Sequence, residues 1–152
     1  MNQLIGDLGE KLVDRWLQLQ GYRILHKCWH CRWGEIDIIA LKKSLPILAF
    51  VEIKTRNSRN WDANGLLAIN NTKQAKLIKT ATLFLADNPD LESYPCRFDA
   101  AIVSHDRPKK ITQEITALAI ETATIEIGRS IIISSGWKLT LLDYIENAFE
   151  IN

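Results

Sequence analysis

The sequence predicts an α/β fold in one domain over residues 1–152: a mixed β-sheet flanked by helices, in the order α-β-β-β-α-β plus a C-terminal extension. Three observations carry this prediction. The first twenty residues repeat apolar side chains at helical spacing. Residues 35–54 hold two apolar, β-branched runs separated by Lys42, Lys43, Ser44, Leu45 and Pro46. A second helical stretch at 72–86 then divides that hairpin from another strand-like run at 96–104. With 152 residues, 47% apolar and 24% charged, the chain is long enough to bury a sound core.

In the first helix Ile5, Leu8, Leu12, Trp16 and Leu19 recur at helical spacing, and Val13 and Leu17 widen the stripe. Gly21 is placed to end it as a C′ residue. Glu10 and Asp14, four apart, share a face, and Glu10 lies beside the apolar stripe. Residues 22–27 read as a short strand, followed by an irregular polar and aromatic stretch at 28–33. Gly34 introduces the second strand at 35–41, and the third runs over 47–55. Residues 55–64 are polar, basic and loop-like.

The second helix is expected to be capped near Thr72, with Ala75, Ile78, Ala81, Thr82 and Leu85 as its inner stripe and Lys73, Lys76 and Lys79 on another face. Asn88-Pro89 ends it. Arg97 and Asp99 alternate with Phe98, Ala100 and Ile102 in the fourth strand. Ile111, Ile115, Leu118 and Ala119 fit a helix and a strand about equally. Residues 131–133 look like a strand, and 140–149 like a short closing helix with Thr140 and Asp143 at capping-box spacing.

The net charge is +1, but it is unevenly spread. Residues 1–111 carry 17 Lys/Arg against 12 Asp/Glu, whereas 112–152 carry 2 against 6. A segregated basic surface can bind phosphate on a nearly neutral protein; an ordinary solvated surface gives the same counts. The apolar runs are too short to span a bilayer, so no membrane partner is expected. The N-terminus lacks a basic n-region, so a cytoplasmic location is expected. Cys28, Cys31 and Cys96 do not suggest a disulfide framework. Cys28 and Cys31 form a Cys-x-x-Cys without a second pair, so free, partly buried thiols are expected rather than zinc.

The chemistry concentrates in the hairpin. Asp37 sits among Ile36, Ile38 and Ile39, and the third strand ends Glu52-Ile53-Lys54. Buried charge is costly unless paired, hydrogen-bonded or metal-bound. Hydrolysis of a phosphodiester with a divalent cation needs hard oxygen ligands, open positions for water and phosphate, and a nearby cation. Asp37 and Glu52 offer carboxylates, the Ile53 carbonyl a third oxygen, Lys54 the cation, and Glu10 an additional ligand. Mg²⁺ or Mn²⁺ is the expected cofactor. Side chains alternate along strands, so Asp37 joins Glu52 and Lys54 only if paired residue numbers sum to an odd value. A sum of 89 sets Asp37 opposite Glu52 and Glu35 opposite Lys54. The alternative is a solvated ladder of salt bridges.

An acid in one strand followed by Glu-x-Lys across a hairpin resembles the PD-(D/E)xK nuclease superfamily, the restriction-endonuclease-like fold. The ordered set Gly6, Gly9-Glu10, Gly21-Tyr22, Gly34-Glu35-Ile36-Asp37, residues 50–56 (FVEIKTR), Lys73, Arg97-Phe98-Asp99 and Asn147-Ala148-Phe149 resembles, more narrowly, the YraN family of small bacterial proteins, which is similar to archaeal Holliday-junction resolvases. The resemblance implies that Asp37 and Glu52 are metal-binding acids, Lys54 the catalytic lysine, and Glu10 the helix glutamate added to the metal site. It implies a nuclease acting on structured DNA or RNA. A nucleic-acid-binding module of the same fold with little or no catalytic activity is the alternative. Junction resolvases work as dimers, which extends the expectation to a homodimer.

Arg32, Arg56, Arg59, Lys73 and Lys76 are the candidate nucleic-acid contacts. Trp29, Trp33 and Trp61 lie beside basic residues in what read as loops, where aromatic and Arg side chains can stack on unpaired bases; plain anchoring of the loops is the alternative. Arg97 and Asp99 are expected to form an internal ion pair that orients Lys73 or the site.

Overall fold

The computed structural model describes residues 2–60, 69–107, 119–133 and 135–149. Two helices, α1 (Asn2–Leu19) and α2 (Asn71–Asp87), lie on opposite faces of a six-stranded sheet. The strands are β1 (Arg23–Cys31), β2 (Gly34–Lys42), β3 (Ile47–Asn57), β4 (Cys96–Asp106), β5 (Ser130–Ile132) and β6 (Lys138–Ile145). Their spatial order is β1-β2-β3-β4-β6-β5. Only β3 and β4 run parallel, joined by the crossover that contains α2; the other neighbours are antiparallel. The fold is therefore α/β with a mixed sheet, in the order α-β-β-β-α-β-β-β. Among the described residues no helix is long and apolar enough to cross a membrane. Trp61 and residues 111–118 lie outside the described residues.

The sheet divides two cores. On the α1 side Ile5, Leu8, Leu12, Val13 and Leu17 meet Ile38, Ala40, Ala49, Val51, Ala101 and Val103. On the α2 side Leu77, Ala81 and Phe84 meet Ile39, Leu41, Leu48, Phe50 and Phe98. Both faces of β2 and β3 are thus covered, as the near-continuous apolar runs require. Phe50, Phe98 and Phe149 stack in sequence, and Phe84 meets Phe50 edge-on.

The α1 C-terminus closes as expected. Gly21 has φ 93°. Its N–H donates to the Gln18 carbonyl, and the Tyr22 N–H donates to that of Leu17 at 2.9 Å. This is the doubly bonded αL termination for which glycine is suited. Leu19 departs from the expected stripe: it is exposed, and Leu17 and Tyr22 are buried on either side of it. The α2 cap is Asn70 rather than Thr72; its side chain accepts from the Lys73 N–H at 2.9 Å, which contributes about 1 kcal/mol. Of the expected stripe Ala81 is buried and Ile78 and Leu85 pack against the core, whereas Ala75 and Thr82 are exposed, and the fully inward residues are Leu77, Thr80, Ala81 and Phe84. Phe84 decides this rotation, since it fills the gap between Phe50, His26 and Trp29.

Two further elements depart from the sequence reading, and a third agrees with it. The strand expected at 22–27 continues through Cys31, so most of the irregular stretch is strand. A register shift falls between Ile24 and His26, and Cys28 has φ 52°. The closing segment expected as a helix is β6. It pairs with β4 and buries Leu139, Leu141 and Tyr144, and tertiary pairing overrides the capping-box spacing. The strand expected at 131–133 is present as β5, bonded to β6 by pairing and by a Ser130–Thr140 hydroxyl contact of 2.6 Å.

Arg97 and Asp99 do form a buried ion pair, but they act away from Lys73. Asp99 accepts from Arg97 at 2.7 and 2.9 Å, from the Tyr144 hydroxyl at 2.6 Å and from the Asn147 N–H at 3.0 Å. Arg97 also donates to the Tyr22 hydroxyl at 2.6 Å. The cluster ties the end of α1, the start of β4 and the tail after β6 together. The Ala148 N–H donating to the Phe98 carbonyl at 2.7 Å completes the tie.

Candidate functional site

The hairpin register is the one that parity demands. Lys42 pairs with Ile47, Leu41 with Leu48, Ala40 with Ala49, Ile39 with Phe50 and Ile38 with Val51, each pair summing to 89. Pairing stops there, one step before Asp37 and Glu52 would stand opposite each other, and β2 and β3 part as a fork. Asp37 occupies its apex. Its carboxylate accepts the Ile53 N–H at 2.7 Å, taking the place of the next ladder bond. In extended backbone the N–H and C=O of one residue project to the same edge. The Ile53 carbonyl is therefore also presented on the fork side.

Past Val51, β3 stays paired with β4 through Asn57, which holds Glu52, Ile53 and Lys54 in extended geometry. Glu52 and Lys54 point to one side by the period of two. Both are nearly buried, 7% and 8% exposed. The Glu52 carboxylate is 3.3 Å from the Lys54 Nζ and 2.6 Å from that of Lys73 on α2. Burial, and then the neighbouring Lys73, push the Lys54 ammonium below the usual lysine range. For Lys73 burial is the largest single influence and works in the same direction, but the bonds to Glu52 and Lys54 and the charges of Glu52 and Asp37 together outweigh it and the net shift is upward. Asp37 is the most displaced acid. Burial and then the charge of Glu52 raise it to about 7, against the bond from Ile53 that favours its ionised form.

Two cavities meet at Asp37. One, of about 300 Å³, opens toward α2 and is lined by Gly34, Glu35, Asp37, Glu52, Lys73 and Lys76. The other, of about 790 Å³, opens toward α1 and holds Glu10, Glu35, Asp37, Ile53, Thr55 and Arg56 among its walls. Gly9 places Glu10 there. A Cβ at position 9 would collide with the Thr55 side chain, so only glycine lets α1 lie this close to β3. Glu10 and Asp14 share a face as expected, and both turn toward β1: Glu10 accepts from the Cys28 thiol at 3.0 Å, and Asp14 lies 3.3 Å from the Lys27 Nζ.

The structure thus brings Asp37, Glu52, Ile53, Lys54 and Lys73 together, with Glu10 across the larger cavity. Among the described residues no three His, Cys, Asp or Glu side chains are grouped closely enough to hold a metal on their own. The oxygens that could hold a divalent cation are the two carboxylates at the fork and the Ile53 carbonyl. This suits Mg²⁺, which is held through one or two carboxylates with water and phosphate completing its shell.

Arg56 and Arg59 are exposed at the end of β3 and just after it, and Arg56 lines the larger cavity. Lys76 lines the smaller one, and Arg32 lies at the β1–β2 turn. Trp29 does not sit in a loop: it is in β1, packed edge-on against Phe84.

Two relationships had no signal in the spacing. The Cys28 thiol, exposed and bonded to Glu10, is pushed up to about 12 by that bond first and by burial second, which keeps it protonated and unreactive. The ion pair between Lys73 and Glu52 follows from a helix face rotated about a third of a turn from the stripe that apolar spacing predicts. Once Leu77 is recognised as inward-facing, Lys73 at i−4 falls on the same side.

A family model described as "Uncharacterised protein family UPF0102" matches residues 9–103. The chain is 47% identical to a UPF0102 protein of Trichodesmium erythraeum, over 97% of this chain and 89% of that protein. It is 46% identical to one of Acaryochloris marina, over 97% and 91%, and 44% identical to one of Trichormus variabilis, over 96% and 94%.

Proposed function

The chain belongs to the UPF0102 family, the YraN family that its motifs resemble, and from that membership and the geometry of the fork we propose that it is a Mg²⁺- or Mn²⁺-dependent nuclease of the restriction-endonuclease-like kind, acting on structured DNA or RNA. The observation that carries the proposal is the crowding of negative charge at Asp37. Two carboxylates share the fork, and one of them is raised to about 7 by burial and by the other. Lys54 and Lys73 face Glu52, whereas Asp37 is met by the Ile53 N–H, and a hard divalent ion would supply the positive charge that favours its ionised form.

Asp37, Glu52 and the Ile53 carbonyl would hold the ion, and Glu10 would add a ligand from α1. When bound, the ion polarises a phosphate and lowers the pKa of a water. The remaining work belongs to the chain's own residues. The Ile53 N–H fixes the Asp37 carboxylate. Lys54, buried and lowered, holds a proton near the attacking water and offsets charge that develops on phosphate oxygens. Lys73 orients Glu52. Arg32, Arg56, Arg59 and Lys76 provide phosphate contacts on either side of the fork.

One observation favours the second reading, a nucleic-acid-binding module with little activity: Glu52 is already satisfied by two ammonium groups. Incubating branched and single-stranded DNA and RNA with the protein in Mn²⁺, beside folded Asp37→Ala and Lys54→Ala variants, separates the two. Cleavage by wild type that is lost in both variants supports the nuclease. Binding that survives in chelator and in both variants, without cleavage, supports the module.

A further inference from the structure

The tip of the β1–β2 hairpin gathers positive charge on an exposed indole. Trp33 is 41% exposed. The Arg32 guanidinium lies 4.7 Å from its ring centroid, and the Lys79 ammonium, contributed by α2, lies 4.8 Å from it. The ring attracts each cation modestly, while the two cations repel each other. Among the described residues no carboxylate forms an ion pair with Arg32, Lys76 or Lys79. Gly34 makes the gathering possible. A Cβ there would stand 3.2 Å from the Thr80 Oγ1 and 3.9 Å from the Lys76 Cβ, so the hairpin tip lies directly on the helix. Gly34 at this tip also lines the cavity of about 300 Å³, whose other walls are Glu35, Asp37, Glu52, Lys73, Lys76 and Leu77. Lys79, Lys76 and Lys73 descend α2 in steps of about 4.5 Å along its axis.

We infer that this cleft admits one unpaired polynucleotide strand, with a base against Trp33, phosphates on Arg32, Lys79 and Lys76, and the chain directed toward Asp37 and Glu52. The inference rests on the nuclease reading and deepens it by naming the substrate class: a nucleic acid with a free single strand, as in a flap, fork or overhang. A cationic groove combined with an exposed aromatic is the arrangement that binds single strands, whose bases offer an open face. A duplex hides those faces. It is also far larger than this cleft, since its major groove alone accepts an α-helix.

The test is fluorescence anisotropy of labelled oligo-dT, oligo-rU and a blunt duplex in chelator, so that binding is read without cleavage. Trp33→Ala is expected to weaken single-strand binding about tenfold, the loss of one base stack, and Trp33→Phe to restore most of it. Lys79→Ala is expected to reduce the salt slope by about one. Duplex binding is expected to be unchanged in all three. The same dependence on either oligomer supports the inference, and the tighter one identifies the sugar. Single-strand binding unaltered by Trp33→Ala and Lys79→Ala, or an equal loss on the duplex, overturns it. Wild type that binds no oligomer and cleaves none overturns the nuclease reading as well.

Discussion

The Ile53 N–H donates to the Asp37 carboxylate at 2.7 Å, at the point where the β2–β3 ladder ends with Ile38 and Val51. A side chain thus completes a sheet bond that backbone would otherwise make. The same bond fixes where a carboxylate sits between two cavities. Asp in a strand, costly by propensity, is explained by this double duty.

Asp37 makes stability pH-dependent in a defined direction. Its folded value, raised to about 7 by burial and Glu52, lies above that of an unfolded aspartate, about 4. The native protein therefore holds a proton that the unfolded chain releases in this window, and stability falls as pH rises. The contribution of the neutral carboxyl is fully present below about pH 4 and is lost as pH climbs through about 7. Asp37→Asn keeps an acceptor for Ile53 and removes the charge. In urea denaturation without divalent cations the variant should gain about 2 kcal/mol over wild type at pH 8 and nothing at pH 4. An equal difference at both values contradicts the assignment.

A divalent cation should relieve the same crowding. Millimolar Mn²⁺ is expected to raise the thermal midpoint of wild type by several degrees, the response to binding at roughly a hundred times Kd. Asp37→Ala should show little of this rise. Cleavage, where present, should fall at least about a hundredfold in Asp37→Ala, Glu52→Ala and Lys54→Ala. Calorimetric titration with Mn²⁺ gives the check; equal weak binding in wild type and Asp37→Ala would remove the metal site.

Gly9 is needed for its lack of a side chain. Gly9→Ala drives a methyl into Thr55 and should cost about 1–3 kcal/mol, the usual overpacking range. Thr55→Ala in the same chain should recover most of the loss. A double-mutant cycle reads this as a strong coupling between positions 9 and 55. Additive effects would mean that α1 shifts freely away from β3.

Asp99, 1% exposed with its carboxylate bonded to Arg97, Tyr144 and the Asn147 N–H, should be the most sensitive single charge. Asp99→Ala leaves the Arg97 guanidinium buried without its partner and should cost about 3–5 kcal/mol. Limited proteolysis should then cut after β6, where Asn147 and Phe149 lose their tie. Nuclease or binding activity per folded molecule should be unchanged, because the side-chain bonds of the cluster run to Tyr22, Tyr144 and Asn147 and away from Asp37 and Glu52.

The two charged strands were legible because their pattern is local. Alternation in 35–41 and 47–55 gave the strands, and parity gave the register that Ile38–Val51 obeys. The end of α1 was legible for the same reason, since Gly21 acts on its own turn. Interactions between distant segments were less so. The α2 face is set by Phe84, which is held by aromatics from β1 and β3, and helix spacing alone does not report this. The last strand does not announce itself, because its partner β4 lies some forty residues earlier in sequence. Cys28 meets Glu10 only because α1 and β1 fold back on each other after Gly21.

The broken regularity of β1 has a consequence for self-association. This strand is one border of the sheet, and a straight border offers its backbone to any second chain as a template for cross-molecule pairing and aggregation. Here the register shifts between Ile24 and His26, and Cys28 turns into the left-handed region. An incoming strand would meet a template interrupted twice within nine residues. The irregularity that places a thiol beside Glu10 therefore also makes this border a poor template for backbone pairing with a second chain.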